Sequence, residues 1–356
     1  MYFATIDCGT TNSRVYVLDA CLRIVAKGTK KVGVRDTAIT GSRQVLRDGL
    51  AEIFERAVGD AGLQVRDIAC AVTSGMITSE IGLLEIPHMV APTGLAELSA
   101  GVMPVRDPTI FPVDVPLLFI RGVKNAYPAE TAMRDIRRVD FMRGEETQIM
   151  GLLAYPGIPA PPFTAVVLSS HTKYIPVNAD GRIAGSLTTL SGQLLEAIRH
   201  GTSIGKSIET PETDPGTPDR SVVDIAYDAV TQAGFLRSLL MPRFMDVLLG
   251  IPARLRRCFL EAAIAVEDLQ VLREFPLLGF ALDTPFVLIG PRPRCEIFRH
   301  LLGTYSGITR EISEVSNTEE VDRLAILGAV AIAQQAGYLS GVAPFQKKGG
   351  VAASPS

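Results

Sequence analysis

The sequence contains no tryptophan and almost no surplus charge of either sign. Its 35 lysine and arginine residues stand against 38 aspartate and glutamate residues, so the formal net charge is -3 and the pI is near 5.9. A protein that binds nucleic acid usually carries a basic stripe, often with aromatic residues nearby, and this chain shows neither. We therefore expect no nucleic-acid partner, whereas a small anionic substrate would need only a local basic pocket.

Cysteine and histidine are also few and scattered. The four histidines show no metal-ligand spacing, and neither a GxSxG nor an HExxH motif occurs. No CxxC pair is formed by the five cysteines, which are Cys8, Cys21, Cys70, Cys258 and Cys295. We therefore expect reduced, structural cysteines rather than disulfides or a metal site.

Long apolar runs are missing as well. No uninterrupted run is long enough to cross a bilayer, and Met1 leads straight into a predicted strand without the basic and apolar segments of a signal peptide. We therefore expect no membrane association and a cytoplasmic location. The chain has 356 residues, of which 47% are hydrophobic, and this suits two domains with sizeable cores.

The first distinctive stretch is residues 4–14, a predicted strand followed by a turn rich in hydroxyl groups. The strand ends at Asp7, and Gly9, Thr10 and Thr11 follow, so a carboxylate stands beside a turn that offers N–H and hydroxyl donors. Such a turn can hold phosphate oxygens while the carboxylate holds a magnesium ion or its waters. An ordinary β-hairpin with a polar turn explains the same pattern equally well.

The same strand–turn–strand pattern occurs a second time, 159 positions later. The hydroxyl pair of the first turn falls on Ser169 and Ser170, Arg14 falls on Lys173, and Asp7 falls on Val166. This correspondence predicts two duplicated units whose turns face each other across a cleft, with the phosphates of a nucleotide between them. Because Val166 has no carboxylate, only the first unit would hold the metal.

Between the two units, residues 141–153 predict a helix that opens with two adjacent carboxylates, Glu145 and Glu146. The helix macrodipole favours negative charge near an N-terminus, which gives these residues a structural explanation. The functional alternative is a general base that points into the cleft.

The rest of the chain alternates between predicted helices, strands and loops. We expect helices over residues 41–61, 222–241, 245–269 and 318–338, the last with Thr318 as its N-cap. An exposed loop is predicted over residues 209–220. Residues 201–207 look like a phosphate-binding P-loop, but three residues instead of four separate the glycines and a helix precedes them, so we expect a helix end there.

Together, these motifs resemble the 2-dehydro-3-deoxygalactonokinase family, in the sugar-kinase branch of the actin, hexokinase and Hsp70 superfamily. The most specific is Met142-Arg143-Gly144-Glu145-Glu146-Thr147-Gln148, which resembles the family's MRGEETQ signature. Residues 6–14 are similar to its DWGxTNxR segment, residues 74–79 to AGMxGS, residues 170–174 to THxKW and residues 191–194 to TGEL. The similarity is spread over most of the chain.

The resemblance implies an α/β fold of two duplicated actin-like ATPase domains, ribonuclease H-like in topology, with a cleft between them. We expect an N-terminal domain over residues 1–140, a C-terminal domain over residues 141–339 and a flexible tail over residues 340–356. The family uses magnesium ATP to phosphorylate the terminal hydroxyl of 2-dehydro-3-deoxy-D-galactonate in galactonate breakdown. ATP, Mg²⁺ and a sugar acid are therefore the expected ligands, and a homodimer is left open.

The resemblance also implies roles for individual residues. Glu145 would be the catalytic base, with Glu146 as an alternative base or an orienting partner, and Asp7 would serve the metal. The adenosine would lie near Gly290. Phosphate groups would be bound by Gly9, Thr10, Thr11, Ser169, Ser170 and Lys173. The sugar acid would be bound by Asn12, Arg14, Gly75, Met76, Ser79 and Arg143, with an arginine on its carboxylate.

The chain departs from the family pattern at several positions. Cys8 replaces a tryptophan, Ser169 replaces a glycine, and the sequence GPRP at residues 290–293 replaces a softer glycine-threonine-serine turn. Other interpretations therefore stay open: a kinase for another sugar or sugar acid, a non-catalytic nucleotide-binding regulator of the same fold, or an interaction protein without a nucleotide site.

Overall fold

Three β-sheets carry the framework of the protein. The computed structural model describes residues 1–210 and 216–343, and the strands within them are β1 Tyr2–Cys8, β2 Ser13–Asp19, β3 Ile24–Lys30, β4 Ile68–Gly75, β5 Met89–Val90, β6 Met103–Val105, β7 Leu117–Phe119, β8 Val123–Lys124, β9 Phe141–Met142, β10 Phe163–Leu168, β11 Thr172–Val177, β12 Leu187–Thr189, β13 Phe286–Ile289 and β14 Ile312–Val315.

The helices pack on both faces of the larger sheets. They are α1 Val34–Thr40, α2 Gln44–Asp60, α3 Leu95–Ala100, α4 Glu145–Leu152, α5 Ser191–Gly201, α6 Arg220–Ala233, α7 Phe235–Val247, α8 Ala253–Asp268, α9 Phe275–Leu278, α10 Arg292–Tyr305 and α11 Thr318–Gln335. Among the described residues, none of these helices has the length and apolar character that a bilayer crossing requires.

The two larger sheets share one topology. The first has the strand order β3-β2-β1-β4-β7-β6 and the second has the order β12-β11-β10-β13-β14. In each, an antiparallel three-strand meander is extended by two strands that run parallel to its first strand, β4 and β7 in the first sheet and β13 and β14 in the second. The first sheet has one further edge strand, β6, which is antiparallel to β7. The structure therefore contains the duplication that the sequence predicts.

A central helical layer separates the two sheets. One apolar cluster joins residues of the first sheet, the second sheet, α4 and α11, among them Phe3, Ile149, Val287 and Leu324. Two further clusters cover the outer faces, one with α2 on the first sheet and one with α8 and α10 on the second. The central strands β1, β4, β10 and β13 are buried on both faces and are mostly apolar, whereas the edge strand β3 is mostly exposed.

Strand alternation decides which residues face the central layer. In β1, Phe3 belongs to the central cluster whereas Ala4 and Ile6 belong to the outer one, so Asp7 faces inward. The pairing registers place Asp7 opposite Arg14 and Val167 opposite Lys173. The counterpart of Asp7 is therefore Val167, and the assignment to Val166 was wrong by one residue because the second turn is one residue shorter than the first.

The helices α4 and α11 cross in close backbone contact. A Cβ atom on Gly151 would lie 1.9 Å from the Leu324 carbonyl oxygen, and one on Gly328 would lie 1.8 Å from the Thr147 carbonyl oxygen. Only glycine fits at either position without a shift of one helix. Since α4 carries both predicted catalytic carboxylates, this crossing fixes their place between the sheets.

Several predicted boundaries need correction. The predicted helices 222–241 and 245–269 are three helices, α6, α7 and α8, because the chain turns at Gly234 and again before Pro252. The N-cap of α11 is Asn317, whose side chain accepts from the Glu319 N–H, and not Thr318. Helices α1 and α3 were not predicted, because each is too short to show a clear apolar period.

The predicted tail is partly anchored. Val342 is buried, and the Ala343 N–H donates to the Ala20 carbonyl oxygen at 2.8 Å, so residues 340–343 pack against the first sheet's β2–β3 turn. The expectation of a flexible tail is wrong for these residues. Residues 211–215 of the predicted loop and residues 344–356 of the predicted tail lie outside the described residues.

Replacing Gly328 by alanine is expected to destabilise the protein, because the added methyl group would meet the Thr147 carbonyl oxygen. Overpacking of this kind costs about 1–3 kcal/mol. Gly303→Ala in α10 is the matched control, since nothing lies within 4 Å of its Cβ position, and it should stabilise the fold by about 0.5–1 kcal/mol. Urea denaturation measures both variants, and equal effects would contradict the close crossing.

Candidate active site

A cavity of about 290 Å³ opens where strands of both sheets end. Its walls come from the carboxyl ends of β1, β4, β10 and β13 and from one side of α11, the place where open α/β sheets bind ligands. The polar residues that line it are Thr5, Asp7, Arg14, Tyr16, Ser74, Gln148, Ser169, Ser316, Thr318 and Asp322, together with the backbone of Gly290. Four of the predicted site residues therefore converge here: Asp7, Arg14, Ser169 and Gly290.

Asp7 is the acid on the first-sheet side of the cavity. Its Oδ2 accepts a hydrogen bond from Arg14 Nη1 at 3.2 Å, and its side chain is 34% exposed. Partial burial raises the pKa of the Asp7 carboxyl, and the Arg14 guanidinium opposes that rise. The carboxylate therefore faces the cavity with one cation already beside it.

The first turn, residues 9–12, is hydrogen-bonded to the start of α1. The Gly9 N–H donates to the Asn12 carbonyl oxygen at 2.9 Å, which closes the turn. The backbone N–H of Arg35 donates to the Thr10 carbonyl oxygen at 2.9 Å, so this helix start occupies the turn's carbonyl side. Thr10 and Thr11 are partly exposed, and Asn12 is exposed at the tip.

The second turn is exposed and is held by α10. The Ser169 hydroxyl donates to the His171 carbonyl oxygen at 3.0 Å, and Arg294 Nη1 donates to the Ser169 carbonyl oxygen at 2.7 Å. Ser169 and Ser170 both remain exposed. Arg294 was not predicted, because its contact with Ser169 joins residues that lie 125 positions apart.

Gly290 lies at the end of β13, where the chain enters α10. A Cβ atom there would stand 2.6 Å from the Leu168 carbonyl oxygen, so a larger residue would push β13 away from β10. Pro291 is the N-cap of α10, and Pro293 follows in its first turn. The prolines that depart from the family pattern therefore form a regular helix start beside the cavity.

Lys173 does not line the cavity. Its side chain is nearly buried, and Nζ donates to the Phe141 carbonyl oxygen and to the Thr188 hydroxyl, both at 2.8 Å. The ammonium group lies close enough to Glu145 to lower the pKa of that carboxyl. The observed contacts give Lys173 a bracing role before α4, and its assignment to a phosphate stays a prediction.

Glu145 presents a free acceptor at the start of α4. Among the described residues, its buried Oε2 has no hydrogen-bond partner. Burial raises the pKa of Glu145, the Lys173 ammonium opposes the rise, and the Asp7 carboxylate adds to it. The Glu145 carboxylate has a buried oxygen without a hydrogen-bond partner and is repelled electrostatically by Asp7. Both properties suit a group that accepts a proton from a substrate.

Glu146 forms its side-chain hydrogen bonds within the first turn of α4. Its side chain is fully buried, and both carboxylate oxygens accept from the Gly144 N–H, at 2.8 and 2.9 Å. Burial, together with the neighbouring Glu145 charge, raises the pKa of Glu146 to about 8. These contacts suit an orienting partner rather than a second base.

Two glycines bring the acids together. Gly75 and Gly144 both have a positive φ, and a Cβ atom on Gly144 would lie 3.2 Å from the Gly75 Cα. A Cβ atom on Gly75 would lie 2.5 Å from the Cys8 carbonyl oxygen and 3.3 Å from Asp7 Oδ1. Gly144, which precedes Glu145, therefore packs on Gly75, and Gly75 packs on the end of the strand that carries Asp7.

Arg143 is fixed on the other side of α4's first turn. Nη1 donates to the Thr78 hydroxyl at 2.7 Å, and Nη2 donates to the Ile86 carbonyl oxygen at 3.0 Å and lies 3.4 Å from His88 Nδ1. In the part of the chain that the structure describes, no carboxylate forms an ion pair with Arg143. The nearby carboxylates of Glu146, Glu80 and Glu85 act on Arg143 only at longer range, so the half-buried guanidinium can still pair with the carboxylate of a ligand.

The other predicted sugar-acid residues lie near Arg143 or near the first turn. The Ser79 hydroxyl is buried and donates to the Met76 carbonyl oxygen at 2.8 Å, whereas the Met76 side chain is partly exposed. His88 was not predicted, because nothing in its sequence context singles it out. Burial and the nearby Arg143 charge lower the pKa of His88 to about 4, so it is neutral at physiological pH.

Two further cavity residues were missed. Gln148 follows Glu145 by three positions on α4, so the helical period could have found it. Asp322 lies one turn into α11 and carries no sequence signal. Within the described ranges, no group of three His, Cys, Asp or Glu side chains could hold a metal, so a cation at Asp7 would need phosphate and water oxygens as further ligands.

Comparison with known proteins gives consistent matches. Residues 7–341 match the family model described as 2-keto-3-deoxy-galactonokinase. A probable 2-dehydro-3-deoxygalactonokinase of Rhizobium meliloti is 27% identical over 212 residues, which are 60% of this chain and 61% of the relative. The chain thus aligns with less than two thirds of the length of that curated relative.

Solved structures share the fold. A candidate 2-dehydro-3-deoxygalactonokinase of Sinorhizobium meliloti superposes with a TM-score of 0.69 at 21% identity, covering 93% of this chain and 96% of that one. A reductive activator for a corrinoid, iron-sulfur protein superposes with a TM-score of 0.50 at 11% identity, covering 96% and 63%. The α/β fold of duplicated actin-like ATPase domains is confirmed.

Because burial raises the pKa of Glu146, we expect part of the free energy of unfolding to be lost as pH rises. Its pKa is raised from 4.5 to about 8 on folding, so between these values the folded chain holds a proton that the unfolded chain has released. Stability therefore falls across that window, by about 1.4 kcal/mol per unit of pKa separation. Glu146→Gln keeps an acceptor for the Gly144 N–H without titrating, so its advantage over wild type should grow with pH.

Urea unfolding of both proteins at about pH 5 and about pH 8 measures this difference. Glu55→Gln on the exposed side of α2 is the control, and it should differ from wild type equally at both pH values. If the difference in unfolding free energy between Glu146→Gln and wild type were also the same at both pH values, the raised pKa of Glu146 would be contradicted.

Proposed function

The chain belongs to the 2-keto-3-deoxy-galactonokinase family, and on that premise we propose that it transfers the γ-phosphoryl group of ATP to the terminal hydroxyl of 2-dehydro-3-deoxy-D-galactonate in galactonate breakdown. The observation that carries the proposal is the buried, unpartnered Glu145 Oε2 beside the strand end that bears Asp7. An anion-binding turn, an acid for a cation and a free acceptor are the parts that phosphoryl transfer requires.

The nucleotide would lie between the two turns. Ser169 and the backbone of Gly290 line the cavity from the second sheet, and Asp7 and Arg14 line it from the first. Asp7 would hold Mg²⁺, which supplies charge neutralisation of the phosphates when bound. Gly9, Thr10, Thr11 and Ser170 would contact phosphate oxygens at the rims of the two turns, where they remain partly or fully exposed.

Arg14 belongs to the nucleotide side in this proposal. It lines the cavity and pairs with Asp7, whereas Arg143 is held by Thr78 and Ile86. The sequence-based assignment of Arg14 to the sugar acid is therefore replaced by a role near the phosphates. Its guanidinium would neutralise charge on the transferring group.

Glu145 would act as the general base. The raised pKa brings the carboxylate closer to the operating pH, where proton acceptance is most effective. It would take the proton from the terminal hydroxyl, whose oxygen attacks the γ-phosphorus while ADP leaves. Glu146 and Lys173 would hold the first turn of α4 and the segment before it, so that Oε2 stays in place.

The sugar acid would lie against the first domain, with its carboxylate on Arg143. Gly75, Met76, Ser79 and Asn12 would shape the surface around the carbon chain, and His88 would add a neutral ring beside the guanidinium. A keto-deoxy acid fits because the half-buried Arg143 guanidinium forms no close ion pair with a carboxylate of the described residues.

We place the domain division near residue 140. The first larger sheet lies within residues 1–140 and the second lies within residues 141–339. β9 pairs with β8 of the first domain, and α11 packs on β1 and β4, so these two elements link the domains. Closure of the domains would exclude water and protect ATP from hydrolysis. The cytoplasm is the proposed location, since ATP is the substrate and all five cysteines are unpaired.

Glu145→Gln is expected to lower the rate of ADP release by at least about 100-fold, because the amide cannot accept the proton. A coupled ADP-release assay with 2-dehydro-3-deoxy-D-galactonate and its gluconate epimer measures the rate. Thermal stabilisation by magnesium ADP should be retained, which shows that the fold and the nucleotide site are intact. Equal rates in both proteins would remove Glu145 as base, and no activity with either acid would remove the substrate assignment.

Arg143→Met is expected to raise the KM for the sugar acid about 10–100-fold, since a charge-assisted hydrogen bond is worth about 1.5–3 kcal/mol. The KM for ATP should change little, because Arg143 does not line the cavity. Arg106→Gln is the control, an exposed arginine whose ion pair with Asp114 lies at the surface. An unchanged sugar-acid KM in Arg143→Met would contradict the carboxylate site.

A further inference from the structure

We infer that Asp322 on α11 is a positioning residue for the kinase reaction: it retains the Arg14 guanidinium in the nucleotide cavity when a divalent cation occupies Asp7. The inference rests on the proposed function. It concerns a residue that no sequence motif singled out, on a helix that lies at the opposite end of the chain from the first turn.

Asp322 is the point where the first hairpin meets the last helix. Its carboxylate accepts a hydrogen bond from the Tyr16 hydroxyl at 2.6 Å and from Lys27 Nζ at 3.1 Å. The Nε of Arg14 lies 3.8 Å from its Oδ1. The side chain is only 13% exposed and forms part of the cavity wall. Three side chains of β2 and β3 thus converge on one acid of α11.

Arg14 is shared between two carboxylates. Its Nη1 lies 3.2 Å from Asp7 Oδ2, and its Nε lies 3.8 Å from Asp322 Oδ1. A cation held by Asp7 would repel the guanidinium and take over the carboxylate oxygens. The Arg14 side chain is 37% exposed, so without a second anchor it would be free to turn into solvent. Asp322 is that anchor, and it leaves other N–H groups of Arg14 for phosphate oxygens.

A negative charge at this position needs an explanation. The cavity is proposed to receive the phosphates of a nucleotide, and a carboxylate in its wall repels them. An asparagine could accept the bonds from Tyr16 and Lys27 without that repulsion. Two cations lie beside the acid, Lys27 at 3.1 Å and Arg14 at 3.8 Å. Of these two, Arg14 also pairs with Asp7, so we assign the charge of Asp322 to holding Arg14 while a cation engages Asp7.

The test is the affinity of Asp322→Asn for ADP, measured by calorimetry once with Mg²⁺ and once with EDTA. With Mg²⁺, we expect about tenfold weaker binding, because Arg14 loses its charged anchor. With EDTA, affinity should be unchanged or tighter, because Arg14 stays on Asp7 and one repulsive charge is gone. A residue that acted only through its own charge would tighten binding in both conditions, so the sign of the magnesium result separates the two roles.

A double-mutant cycle shows whether Asp322 acts through Arg14. Arg14→Met should also weaken magnesium ADP binding about tenfold, and Asp322→Asn should add little in that background. Lys27→Met is the control, since it removes the other cation on Asp322 and leaves Arg14 in place. Should Asp322→Asn fail to fold, the Arg14→Met result decides, and normal magnesium ADP binding in that variant overturns the inference.

Two further outcomes overturn it while leaving the proposed function intact. One is magnesium ADP binding in Asp322→Asn as tight as in wild type, and the other is an undiminished effect of Asp322→Asn in the Arg14→Met background. If the wild-type protein itself binds no magnesium ADP, the proposed function and this inference are both wrong.

Discussion

The close crossing of α4 and α11 is the contact on which the rest of the structure depends. Each helix presents a glycine, Gly151 or Gly328, to a backbone carbonyl of the other, so the two axes approach closer than side chains would allow. The crossing fixes Glu145 at the start of α4 relative to Asp322 on α11. Because the same two helices fill the space between the sheets, they also determine how far apart the two turns stand.

The duplicated sheets give the two sides of the cleft the same backbone arrangement, but a few side chains differ between the two sides. Both units present a hydroxyl-bearing turn, and both place a cation on the inner face of the second strand, Arg14 or Lys173. Asp7 has Val167 as its counterpart, so one side of the cleft suits a cation and the other suits a nucleotide. Lys173 donates to the Phe141 carbonyl oxygen before α4 and to the Thr188 hydroxyl, and it does not line the cavity.

Local sequence patterns predict those strands, turns and helix starts that are determined by residues close together in the chain. The strand that ends at Asp7, its repeat in the second unit and the helix that begins at Glu145 all follow from short-range periodicity and turn chemistry. The roles of Lys173 and Asp322 depend on contacts with residues far away in the chain, which no single-sequence pattern contains. The family motifs marked the position of Glu146, whereas its full burial and its hydrogen bonds from the Gly144 N–H appear only in the structure.

The most direct test of the account is a crystal structure of the protein with magnesium ADP and 2-dehydro-3-deoxy-D-galactonate. The account predicts the terminal hydroxyl of the sugar acid within hydrogen-bond distance of Glu145 Oε2, its carboxylate on Arg143 and the diphosphate between the turns that begin at Gly9 and Ser169. A sugar acid bound elsewhere, or with its hydroxyl away from Glu145 and the phosphate, would contradict the central claim.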